Sequence, residues 1–166
     1  MSIARGPVDL GSVERAQERL RGHIAATPPR RSATLSRTAG VPVFLKVESG
    51  QPTGSFKLRG ATNAVLSLDE GARARGVATA STGNHGRAVA HAARGAGISA
   101  TVCLSSLVPA NKVAAVRAEG ARIEIVGRSQ DDAQAEVARL VREEGMSAIP
   151  PFDHPAVIAG QGTIGL

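Results

Sequence analysis

Apolar residues recur with two different periods along this chain. Over residues 9–25 (DLGSVERAQERLRGHIA), Leu10, Val13, Ala16, Leu20 and Ile24 fall on one side at helical spacing, which predicts an amphipathic helix. TPPRRS (27–32) ends it, because proline fixes φ and has no amide hydrogen to donate. After that, short apolar runs alternate with longer helical patterns. PVFLKVE (42–48), GVATAS (76–81), SATVCLS (99–105), RIEIVG (122–127) and the start of SAIPPF (147–152) read as strands. Residues 56–68, 84–97, 109–120 and 129–145 read as helices, with Pro109 opening one, Ser129 capping another, and glycine closing three. Short strands joined by helices of 10–15 residues make βαβ units, so the expected fold is α/β: an open parallel sheet with helices on both faces.

Composition narrows the function classes. A chain of 166 residues that is 42% hydrophobic can bury a core as one domain or a little more. The net charge is +6, carried by 17 Arg and 3 Lys. Trp and Tyr are absent and Phe occurs three times, so no aromatic platform for nucleic-acid bases is available. Many arginines stand beside glutamates (Glu14-Arg15, Glu18-Arg19, Arg142-Glu143), which reads as a solvated surface rather than a nucleic-acid footprint. The one cysteine, Cys103, lies in an apolar run and reads as a core residue in a reducing compartment. With no signal peptide and no apolar run of 18 residues, the expectation is a soluble cytoplasmic protein without a membrane partner. No His/Cys/Asp cluster has metal spacing. His23 and His91 fall on predicted helices, His154 at a turn that it is expected to cap, and Asp131-Asp132 in a first helical turn.

Two strand-to-helix junctions carry unusual chemistry, and open parallel sheets bind ligands at such junctions. In ESGQPTGSFKLRGA (48–61), Lys57 sits between Phe56 and Leu58 beside the small residues Gly54 and Ser55. A surface lysine with a snorkelling stem is one reading. The other is an amine desolvated by apolar neighbours, whose neutral form attacks a carbonyl. In STGNHG (81–86), several backbone amides gather at a helix N-terminus, which suits an anion, and Gly83 and Gly86 allow close approach. The plain alternative is an ordinary helix start capped by Ser81 or Thr82. Neither loop is a nucleotide-binding fingerprint.

Together the two motifs resemble those of the serine/threonine dehydratases, which depend on pyridoxal phosphate and have fold type II. Glu48, Thr53, Ser55, Phe56, Lys57, Leu58, Arg59 and Gly60 match the lysine signature; STGNHG, 24 residues beyond the lysine, matches the second loop; GQGTIGL at the end resembles a third segment. Within the family, QPTGSFKLRGATNAV is most similar to the hydroxyectoine-utilisation dehydratases.

The resemblance implies an α,β-elimination that turns a hydroxy amino acid into a 2-oxo acid and ammonia. Lys57 would hold the cofactor aldehyde covalently, flanked by Phe56, and later remove the α-proton. Asn84 would hydrogen-bond the cofactor's ring oxygen, and Ser81, Thr82, Gly83 and His85 would line the pocket for the substrate carboxylate. It also implies a homo-oligomer. The family has roughly as much chain again, including a glycine-rich phosphate loop that this sequence lacks. Residues 1–52 are therefore expected to be part of a larger domain, 53–153 a smaller α/β domain, and 154–166 a return into the larger one. Inactive binding modules of the same fold and racemases stay open beside the lyase. Threonine, serine and hydroxyectoine-derived amino acids stay open as substrates.

Overall fold

A computed structural model describes residues 8–166; residues 1–7, part of the expected first domain piece, lie outside the described residues. Helix α1, Leu10–Leu20, opens with a capping box in which Asp9 accepts from the Ser12 amide and Ser12 answers through its hydroxyl. It ends five residues short of the expected helix, before Gly22, whose φ of 77° no helix accommodates. His23 therefore stands beyond the helix rather than on it. Two segments follow that periodicity did not separate. Strand β1, Arg30–Arg31, pairs antiparallel with β2, Phe44–Leu45, around helix α2, Ala33–Ala39. Of the strand expected over 42–48, only β2 forms, and Glu48–Gly50 is a 3-10 turn. Beyond β2 the side chains of Lys46 and Glu48 bond Thr27, across from the turn.

From α3, Lys57–Leu66, onward the expected alternation holds. Helix α4 is Glu70–Arg75, β3 Val77–Ala80, α5 Asn84–Gly95, β4 Ala100–Leu104, α6 Ala110–Arg117, β5 Arg122–Ile125, α7 Gln130–Glu144, β6 Ser147–Ala148 and α8 Pro155–Gly162. The sheet runs β5-β4-β3-β6 with every pairing parallel, Val77 opposite Ala100 and Ser147. β3 and β4 are buried throughout, as central strands covered on both faces must be. Alternate residues serve opposite faces: Val77, Val102 and Leu104 join Leu58, Val65 and Val89 on one side, while Ala78, Ala80 and Cys103 meet Ala133 and Leu140 of α7 on the other. β6 stops after two residues because Pro150 and Pro151 cannot donate to a ladder.

The lysine-bearing helix α3 is the centre of the packing. Leu58 through Val65 are buried. α8 crosses it so closely that a Cβ on Gly160 would lie 2.7 Å from the Arg59 carbonyl, and one on Gly60 2.7 Å from the Val157 carbonyl. Only glycine at both positions lets the two backbones meet there.

Candidate active site

Lys57 is the first residue of α3, delivered by the turn at Gly54, whose φ is 73° and whose amide bonds the Gln51 carbonyl at 2.7 Å. Its Nζ donates to the carbonyl oxygen of Pro151 at 2.8 Å and lies 5.3 Å from the centroid of the Phe56 ring. The lysine is half-buried rather than sealed in the apolar setting the sequence suggested.

Behind it, two residues along α3, Arg59 holds the helix in place. Its Nε and Nη2 donate to the two oxygens of Glu48, each at 2.8 Å. Nη2 also reaches Thr27 Oγ1 at 3.2 Å, and Nη1 reaches Thr163 Oγ1 at 3.1 Å. Burial pushes the Glu48 carboxyl up, but the hydrogen bonds from Arg59 and Thr27 outweigh it and hold the group below the usual carboxylate range. This clamp joins the first segment, the lysine helix and the end of the chain. The resemblance matched both charges without assigning them a role; their flanking of the lysine was the available signal.

The second loop runs from β3 into α5. The residue before the helix is Gly83, and no side chain caps the first turn, so the ordinary capped start offered by Ser81 or Thr82 is not formed. The leading amides of α5 are thus left without a side-chain partner, at the positive end of a 12-residue helix. Gly83 and Asn84 are exposed there, and Ser81 and Thr82 are half-buried. Gly86 allows the loop to fold back, since a Cβ would lie 2.5 Å from the Ser81 carbonyl oxygen.

His85 turns inward instead of lining an open pocket. It is 2% exposed, with Nε2 2.9 Å from the Ile149 carbonyl oxygen. A carbonyl only accepts, so Nε2 carries the hydrogen and Nδ1 a lone pair, which has no partner among the described residues. Burial pulls the ring's pKa down to about 4; the Ile149 carbonyl opposes this and the positive charge of Lys57 reinforces it. The ring is neutral at neutral pH.

The carbonyls of Ile149 and Pro151, two residues apart just beyond β6, form a ledge that reaches both motifs. This ledge accepts His85 with one oxygen and Lys57 with the other, which places the amine beside the uncapped end of α5. The hydroxyls of Thr53, Ser55 and Thr79 are buried nearby in the chain without partners among the described residues. The remaining histidines stand elsewhere: His91 pairs with Glu119 at 3.0 Å, and His154 precedes α8 without the side-chain capping bond the sequence suggested.

Residues 20–166 match the family described as pyridoxal-phosphate dependent enzyme. The chain belongs to that family. It is 59% identical over 159 residues to a putative threonine dehydratase of Sinorhizobium fredii, covering 96% of itself and 48% of the relative. It is 44% identical to an L-threo-3-hydroxyaspartate ammonia-lyase of a Pseudomonas species, covering 91% of itself and 47% of that protein. The solved serine racemase of Dictyostelium discoideum superposes with a TM-score of 0.89 at 35% identity, over 94% of this chain and 51% of the other. The chain thus spans about half the length of these relatives and shares the fold type II α/β architecture. No helix among the described residues is long and apolar enough to cross a membrane.

The residues fit the aldehyde and ring-oxygen side of the cofactor. The chain offers a half-buried amine at Lys57, an exposed amide at Asn84 and uncapped N–H groups at the start of α5, the kinds of group that side of the cofactor would need.

Proposed function

We propose that these residues form the lysine-bearing half of an ammonia-lyase that removes the β-hydroxyl of a hydroxy amino acid and releases a 2-oxo acid and ammonia. The carrying observation is the shared ledge: the amine of Lys57 and the ring of His85 are tied to the Pro151 and Ile149 carbonyls, next to a helix start that no side chain caps.

Bound pyridoxal phosphate supplies an electron sink for the substrate's α-carbon. The chain's own groups do the rest. Lys57 would hold the cofactor by its aldehyde, and its Nζ would take the substrate's α-proton. Phe56 flanks it. Asn84 would donate its amide to the cofactor's ring oxygen. The amides of the Ser81–Gly83 loop and the first turn of α5 take the substrate carboxylate, as an uncapped helix N-terminus favours an anion. His85 supports that turn from beneath, its Nε2–H committed to Ile149. The β-hydroxyl would leave as water with the proton that Lys57 holds, and the resulting enamine would tautomerise and hydrolyse to the 2-oxo acid and ammonia.

Residues 53–153 would form the smaller domain of the whole enzyme, with 1–52 and 154–166 belonging to the larger one; a cytoplasmic homo-oligomer fits this reading. The substrate class is β-hydroxy amino acids: threonine, serine and the amino acids derived from hydroxyectoine. The test uses the whole protein that carries these residues, assayed for 2-oxo acid from L-threonine and L-serine. Turnover abolished in Lys57→Ala supports the reading. Turnover retained in that variant without added amine overturns it.

A further inference from the structure

The ledge that holds Lys57 has little behind it. A cavity of about 410 Å³ lies between it and α7, lined by Val137, Val141, Ile149, Pro150, Pro151 and Phe152. Packing from the back therefore does not set where the Pro151 carbonyl points. The last ladder bond is from the Ile149 amide to Ala78, at 2.9 Å, and the two prolines that follow have no amide to donate. The chain must still turn from the sheet edge to α8, which begins at Pro155.

Among the described residues, one non-glycine takes a positive φ, and it stands in this turn: Asp153, at 52°. Aspartate tolerates the left-handed region better than most side chains, and β-branched residues do not. Asp153 is exposed, so its contribution is its backbone.

We propose that Asp153 is a positioning residue: its left-handed turn between β6 and α8 aims the Ile149–Pro151 ledge, and so sets the seats of Lys57 and His85. The inference rests on the reading of Lys57 as the reacting amine for its relevance, but not for its test.

The test is amine footprinting of this chain without cofactor, using acetic anhydride and mass mapping of Lys57 against Lys112, together with ¹⁵N signals of the His85 ring. In the native chain Lys57, half-buried and hydrogen-bonded, is acetylated more slowly than Lys112. In Asp153→Val the Lys57:Lys112 ratio is expected to rise about fivefold as the hydrogen bond is lost, and the fixed Nε2–H signature of His85 to disappear. Asp153→Gly and Asp153→Asn, which keep the left-handed turn, are expected to stay within about twofold of the native ratio. If Asp153→Val does not fold, Asp153→Ala is read in its place against the same two controls. An unchanged ratio and His85 signature in the folded Val or Ala variant would overturn the inference, as would Gly and Asn variants that behave like Val. Because no cofactor is used, a failure here is distinct from a failure of the lyase reading.

Discussion

In the unfolded chain His85 takes up a proton near pH 6.5, whereas burial delays this to about pH 4 in the folded protein. The folded-state value is depressed, so its contribution is fully present above pH 6.5 and is lost as pH falls toward 4, reaching at most about 3 kcal/mol. Urea unfolding at several pH values, native against His85→Asn, should show a steeper loss in the native chain over that window. Equal slopes would mean the ring is not held neutral. At Thr82 the expectation concerns reaction outcome. Thr82 stands in the loop before α5, and its β-branched side chain restricts where its own hydroxyl can point, which disfavours it as a second proton carrier. L-Serine should give pyruvate with little D-serine in the whole protein, and D-serine as main product would contradict that. Lys57 was legible in the sequence because its neighbours form a dense motif. Its partner was not, because a backbone carbonyl leaves no mark on the residue that carries it.

The element that sets the site is α3, and two contacts hold it. Replacing Arg59 by methionine leaves the partly buried Glu48 carboxylate with only the Thr27 and Gln51 hydrogen bonds and no cation, a loss of about 2 kcal/mol. Gly160→Ala drives a Cβ to 2.7 Å from backbone on α3, which cannot give way as a flexible side chain would, and should cost about 1–3 kcal/mol. Thermal or urea melts of both variants check these values; a Gly160→Ala chain as stable as the native one would show that α8 sits less tightly on α3. The regular βαβ stretch from α3 to β6 was readable, since full burial of its strands writes continuous apolar runs. Helices α2, α4 and α8 were missed. The first two are one or two turns held by Ser32 and Asp69 caps rather than by an apolar stripe, and α8 is apolar nearly all round. The strand expected at 42–48 forms only as β2, and the polar residues beyond it bond Thr27.

At the scale of the molecule, apolar side chains stand exposed on the first segment and at the end of the chain: Leu10, Val41, Phe44, Leu45 and Leu166. Surfaces of that kind favour association. In isolation these residues should self-associate and bind pyridoxal phosphate weakly, since no glycine-rich loop stands among them to make charge-assisted bonds to the phosphate. Sedimentation and cofactor titration of the isolated residues check this; a monomer that binds the cofactor tightly would contradict it. The central claim is that Lys57 is the amine that takes the cofactor. It is tested most directly by adding pyridoxal phosphate to the whole protein, reducing with borohydride, and mapping the modified lysine by peptide mass. The account predicts a single pyridoxyl group on Lys57, absent from Lys57→Ala. Modification on Lys46 or Lys112 in its place would contradict it.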